Sequence, residues 1–247
     1  MTGTIANVAG IAAGALIGVA LKKRMPEKVA APIMRVLGVG IAIIGTNGIF
    51  KSMLRAEPAT GTLGESGGLL LLISLVLGCI IGELTHIDDR INRFGKKVEE
   101  KFRADGLAKG FVTASLIFCI GAFAIIGPLE DGLRGDPSTL FTKTFLDFTA
   151  SIVLASTLGI GVALSAMPVF IIQGGVTLLA RVISPFITEQ LLDMFCMVGY
   201  TLVLCIGVNF VVDTKIKVAN MLPALLIPIL YYFIAPLIRA VFQYAVS

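Results

Sequence analysis

Gly68–Leu84 reads GLLLLISLVLGCIIGEL, and fifteen residues pass before its first charge, Glu83. Only Ser74 and Cys79 interrupt the aliphatic and glycine residues. A helix rises about 1.5 Å per residue, so about 20 such residues cross a hydrocarbon core of roughly 30 Å. The stretch is too apolar and too continuous for a half-buried helix of a water-soluble domain. It predicts a membrane span. Working outward, seven more apolar stretches follow the same logic: Ile5–Leu21, Pro32–Phe50, Leu107–Pro128, Leu140–Leu164, Ala166–Ile183, Leu191–Val212 and Val218–Ile238. The fifth span in chain order is the weakest, because Lys143 and Asp147 occupy its first two turns.

Composition agrees. Hydrophobic residues make up 56% of the 247 and charged residues 15%, against about a quarter charged in soluble domains. Mean hydropathy is +0.94. The longest polar stretch, Glu83–Lys109, is 27 residues, too short for a second domain. The expected fold is therefore all-α: a single polytopic helical membrane domain over residues 1–247, with about eight spans. A broken or re-entrant hairpin around residues 140–183 is the alternative to two full crossings there.

The net charge of +4 says little, because the Lys and Arg residues are clustered. Alternate connections carry 14 and 6 of the 20 basic residues. The positive-inside bias then puts both termini outside and the Arg90–Lys109 cluster in the cytoplasm. Basic residues placed this way orient a membrane protein, so nucleic acid is not an expected partner. No charge precedes the first apolar run, and Lys22-Lys23-Arg24 follows it, which suits an uncleaved first helix rather than a signal peptide. The four cysteines lack metal-site spacing and read as packing residues.

Ile87, Ile91, Phe94, Val98 and Phe102 recur at helical spacing among charged residues. This predicts an amphipathic cytoplasmic helix at about 87–103. It could lie in the headgroup region or pair with a second copy in a homodimer. Short words repeat along the chain: Ile17–Leu21 with Ile160–Leu164, Ala42–Gly45 with Ala124–Gly127, and Gly45–Asn47 with Gly207–Asn209. They raise the expectation of an internal repeat, a common transporter design.

Enzyme chemistry finds no motif. There is no phosphate loop with its lysine, and the single histidine, His86, allows no paired-His metal site. Neither cofactor nor metal is expected. Polar groups inside apolar spans are more informative, because they usually face a cavity or a partner. Gly127–Asp136 places Glu130, Asp131 and Asp136 after a Gly-Pro pair expected to end the fourth span. They form either a solvated acidic turn or a cation-attracting outer mouth. Asp147, with Lys143 and Ser151 at spacings of four, shares one helix face with them. It reads as half of a buried ion pair or as a pore-facing carboxylate. Gln173 stands beside Gly174 and Gly175, after the Ser165–Pro168 connection, where either a helix break that lines a cavity or a tight turn between two spans followed by a kinked helix is expected. Asn209, with Asp213 one turn on, could coordinate a solute or glue helices together.

Several motifs in order resemble the YqgA/YdfK family of bacterial multi-spanning membrane proteins. They are Gly110–Gly121, Gly127…Glu130-Asp-Gly-Leu-x-Gly-Asp136, Ala155–Val162, Ser165-Ala-x-Pro168 with Gln173-Gly, and Lys217-Val-Ala-Asn-x-Leu-Pro-Ala224. The resemblance covers essentially the whole chain. It implies a protein of the bacterial cytoplasmic (inner) membrane, a family of unknown function often described as transport proteins, and brings no substrate. That family often has Gln where this chain has Glu130, which implies that Asp131 is the more important of the two acids.

The resulting expectation is a transporter or channel for a small solute or ion, cationic in character. Its working residues would be Asp131, Asp147, Gln173 and Asn209, with Glu130 and Asp213 behind them. Its partners would be the lipid bilayer and that solute. The alternative is a non-transporting scaffold or regulatory protein acting through the amphipathic helix. A cavity reaching Asp147 separates the two.

Overall fold

A computed structural model describes residues 1–21, 27–56, 66–91, 93, 97, 107–119, 123–183, 185, 187–212 and 216–234. Among them there is no strand. The helices are α1 (Thr2–Ala20), α2 (Glu27–Ala56), α3 (Ser66–Thr85), α4 (Leu107–Cys119), α5 (Phe123–Leu133), α6 (Ser138–Leu158), α7 (Ala166–Ile183), α8 (Glu189–Val212) and α9 (Val218–Ile234). The last opens as a 3-10 helix over Val218–Leu225.

Five of these are long and apolar enough to cross a membrane: α1, α2, α3, α7 with the turn before it, and α8. The α4 and α5 pair makes a sixth if its two arms, bent by 57°, are one span. Eight spans are thus not established by length and composition. Lys143, Asp147 and several hydroxyl residues dilute α6, and α9 is short and begins in the tighter 3-10 form.

Close pairing of helices builds the bundle. In lipid, apolar surface alone does not hold helices together, so small residues that let backbones approach take over. α1 runs alongside α6 in the same direction, with Gly3 on Leu140 and Gly18 on Ile152 and Ala155. Any Cβ at Gly14 would run into the Phe148 carbonyl. α2 lies antiparallel to α8, with Gly45 against the Leu204 backbone and Gly207 against Ala42. α3 packs on α9 through Gly78 at Ala224. Large apolar side chains such as Leu16, Ile43, Leu72, Phe145, Ile171 and Val182 face outward, as they should toward lipid.

Three expectations are corrected. The fourth span is not one helix: it breaks between Cys119 and Phe123. Pro128 does not end it, since α5 continues through Gly127 and Pro128 to Leu133. Pro128 removes only the bond to Ala124, in the first turn of α5. The break expected beside Gln173 is absent, as α7 runs unbroken through Gly174 and Gly175. Pro168 sits in the first turn of α7, where its missing donor has no helical partner to lose. The chain reverses earlier, at Gly159, whose φ of 81° suits glycine, and through the single turn Gly161–Leu164.

Residues 140–183 therefore form a hairpin, and its first arm reaches as far as α1 does. The repeated words fall at unlike places: Ala42–Gly45 lies mid-α2 and Ala124–Gly127 opens α5. Of the amphipathic segment, 87–91, 93 and 97 are described and helical, and the rest lies outside the described residues. It leaves α3 through His86, at φ 51°.

Candidate functional site

Where α1, α6 and α7 meet, a polar cluster is enclosed by apolar helices. α6 contributes Lys143, Asp147 and Ser151, one above another at spacings of four. Lys143 Nζ donates to Asp147 Oδ2, and the two side chains form an ion pair. Exposure is only 5% at Lys143 and 7% at Asp147. α1 contributes Asn7, on the face that also carries Gly3, Gly10 and Gly14. Asn7 Nδ2 donates to Asp147 Oδ2 at 2.9 Å and to Gln173 Oε1 of α7 at 3.2 Å. One amide thus joins three helices.

Asp147 lies nine residues beyond Ser138, about 14 Å along a helix of about 30 Å. That is near the middle of α6, level with Asn7 of the apolar helix α1. Ionised groups buried among such helices are costly and persist where they are paired or face a cavity. Here both hold.

On one side of the pair lies a cavity of about 260 Å³. Among the described residues, Lys143 and Asp147 supply its only charged groups. The rest of the wall is apolar, with Ile41, Phe118, Phe123, Leu146, Ile206 and Phe210 prominent. Phe118 and Phe123 flank the break between α4 and α5, so the discontinuous helix forms part of this wall. The first turn of α5, where the positive end of its helix dipole lies, is in the same wall through Phe123 and Ala124.

On the other side, five buried polar atoms find no partner among the described residues: Thr4 Oγ1, Asn7 Oδ1, Ser151 Oγ, Gln173 Nε2 and Thr177 Oγ1. All five side chains are at most 1% exposed. A buried polar atom without a partner costs about 1–3 kcal/mol, and native proteins hold few. Asn7 touches the ion pair, Gln173 meets Asn7 and Ser151 stands one turn beyond Asp147, so polar capacity beside the pair exceeds what the described residues consume.

The acidic stretch after Pro128 is arranged differently. Glu130 is buried and accepts at Oε2 from Thr139 Oγ1 at 2.5 Å and from Tyr200 OH at 2.7 Å. Its Oε1 lies 3.7 Å from Arg134. Asp131 holds the amino group of Met1 at 2.7 Å. Arg134 also reaches Asp193 at 2.5 Å and Glu189 at 3.1 Å, tying α8 to the end of α5. Glu130 and Asp131 therefore lie on a helix and turn inward, rather than on an open turn. Asp136 does lie in the turn, and hydrogen bonds from the Ser138 hydroxyl and N–H hold its carboxyl below the usual carboxylate range.

At the opposite end, Asn209 closes the turn after α8. It accepts from Ile216 N–H at 3.0 Å and donates to the Ile216 carbonyl at 2.8 Å. Asp213 lies outside the described residues. Asn220 bridges Glu83 and the backbone of Asp88 at 2.8 and 2.6 Å, joining α9 to the end of α3.

Of the residues singled out in the sequence, the structure brings Asp147 and Gln173 together, and leaves Glu130 and Asp131 at one end and Asn209 at the other. The residue missed was Asn7, the hub. Its signal was present: a lone amide in an otherwise apolar span, on the same face as Gly3, Gly10 and Gly14.

The model of the family described as "Protein of unknown function (DUF554)" matches residues 2–233. The uncharacterized membrane protein YdfK of Bacillus subtilis is 35% identical, over 95% of this chain and 96% of its own. The uncharacterized protein YqgA of Escherichia coli is 28% identical, over 91% of this chain and 93% of its own. No solved structure matches significantly.

Proposed function

The chain belongs to the DUF554 family of proteins of unknown function, and we propose that it is a carrier or channel for a small solute or ion across the bacterial cytoplasmic membrane. The observation that carries this reading is the buried Lys143–Asp147 pair in the middle of α6, lining a cavity and backed by unpartnered polar atoms. A scaffold has no use for such a pair at that depth, since well-packed apolar residues of similar volume serve stability as well or better. Broken helices at the bilayer midplane are a recurrent way of building solute sites in transporters, and the α4–α5 break borders this cavity.

In this reading α6 and α9 also cross, giving eight passages with both termini outside. The charge asymmetry of the connections supports that orientation. So does the arrangement of ends: Met1, Arg134 and Glu189 gather at one end, and Glu83, Asp88 and Lys217 at the other. Cysteines placed at Thr2 and Lys97, both exposed, test it, since only the first should react with an impermeant reagent outside intact cells. Of the acids expected to meet a solute, Asp147 is the one that lines the cavity, whereas Glu130 and Asp131 are held by Thr139, Tyr200 and the Met1 amino group at one end of the bundle.

The functional test is uptake and efflux by reconstituted protein across ions and small metabolites. Asp147→Asn, confirmed folded by its elution profile, should abolish any flux found. Normal flux in that variant would end the proposal.

A further inference from the structure

Lys143 and Asp147 present two opposite charges to a cavity whose remaining wall is apolar. We infer that the solute is a small zwitterion with an apolar side group, of the α-amino-acid type. This rests on the reading of the chain as a carrier. The solute's ammonium takes Asp147, its carboxylate takes Lys143, and its side group fills the space between Phe118, Phe123, Ile206 and Phe210.

Charge conservation carries the choice. Any charged solute that binds at this pair must break it. A monocation on Asp147 would leave the Lys143 ammonium buried and unpaired, and an anion on Lys143 would leave the Asp147 carboxylate in the same state. Either outcome strands an ion at mid-membrane depth, where a bare charge is heavily penalised. A zwitterion replaces one ion pair by two, and the site stays neutral before, during and after binding. No proton has to move. Among the described residues, the titratable group facing the pair from another helix is Cys119 of α4. α1 and α7 bring Asn7 and Gln173 to it, and α8 presents Ile206 and Phe210.

Size and polarity fit the same class. The cavity, about 260 Å³, falls just below the roughly 300–1,000 Å³ of pockets that hold drug-sized ligands. It suits a solute of a few heavy atoms beyond the backbone of an amino acid. Its aromatic and branched lining offers nothing to a polar side group. When Asp147 turns to the solute's ammonium, Asn7 loses one acceptor but keeps Gln173 Oε1.

Three probes sharing one carbon skeleton test this in proteoliposomes: leucine, 3-methylbutylamine, which lacks the carboxylate, and 4-methylpentanoate, which lacks the amine. The inference expects leucine to enter, and neither analogue to enter or compete. Removing either protein charge, by Lys143→Met or Asp147→Asn, should weaken leucine binding about thirtyfold or more. Because those variants could lose their fold, Ala150→Leu is the second arm. Ala150 lines the cavity without touching its charge, so filling the space there should shift preference from leucine to alanine. Transport of the amine or the acid alone would overturn the zwitterion inference and leave the carrier reading standing. An unchanged side-group preference in Ala150→Leu would overturn the placement of the solute in this cavity. Absence of flux for these probes, together with absence of flux for every ion and metabolite screened, would overturn both.

Discussion

If Lys143 and Asp147 are each other's counter-charge, a double-mutant cycle should be strongly non-additive. Both side chains are under a tenth exposed, and each meets the other as its only opposite charge in the cavity wall. Removing one partner of a buried pair costs about 3–5 kcal/mol, because the remaining charge is stranded. Asp147→Leu strands Lys143. Lys143→Met strands Asp147 with only the Asn7 amide. If the two effects were independent, the double change would cost about 6–10 kcal/mol. The pairing predicts instead that Lys143→Met with Asp147→Leu lies within about 1 kcal/mol of the starting protein, or is more stable. Asn7 Nδ2 is not orphaned in it, because Gln173 Oε1 remains. Reversible unfolding in mixed micelles of increasing SDS fraction measures all four proteins on one scale. A double variant as unstable as the sum of the singles would show that the two charges act separately, and the argument from pairing would fail. The same double variant should be inactive in transport, which separates stability from use of the site.

Other consequences are more local. Gly14→Val should destabilise by about 1–3 kcal/mol or more through overpacking, since its side chain meets the Phe148 carbonyl; the same unfolding assay reads it, and a neutral result would mean that α1 and α6 are not in contact there. Tyr200→Phe removes one of the two hydroxyl donors on Glu130 and should cost about 1.5–3 kcal/mol, the range for hydrogen bonds to charged groups, while leaving flux per folded molecule unchanged. Asp136 should titrate below an ordinary carboxylate by carbon-13 NMR, and Ser138→Ala should move it back up. Because its folded pKa is depressed, the stability it adds is complete above the ordinary carboxylate range and is lost as pH falls through the lowered value.

Five spans, and a sixth if α4 and α5 are one, were legible in the sequence because long apolar runs have few alternatives once charge is excluded. Their internal breaks were not. The word Gly174-Gly175 suggests a kink, yet α7 passes through it straight, held by buried neighbours such as Thr177 and Ala180 against Gly132 of α5. The real discontinuity, after Cys119, has no proline and no glycine pair before it; only Gly121 hints at it. The face shared by Lys143, Asp147 and Ser151 could be read from their spacing alone, because helical period fixes it. What met that face could not. Asn7 and Gln173 stand 166 residues apart, and nothing local in either stretch tells which helices will be neighbours. The acids after Pro128 misled for a related reason. A Gly-Pro word commonly ends a helix, but here the partners that hold Glu130, namely Thr139, Tyr200 and Arg134, are supplied mostly by other segments and keep the helix inward.

The claim that a solute reaches Asp147 from water has a direct test in thiol accessibility. Cys79, Cys119, Cys196 and Cys205 are first replaced by alanine, and single cysteines are then introduced at Ala150, in the cavity wall, and at Phe145, which is 64% exposed on the outward, lipid-facing side of α6. A charged, membrane-impermeant methanethiosulfonate is applied to reconstituted protein. The account predicts reaction at Ala150→Cys, slowed by a transported solute, and none at Phe145→Cys. Protection of both positions, with the protein folded, would contradict it, because a pair sealed from water on every side cannot handle a solute.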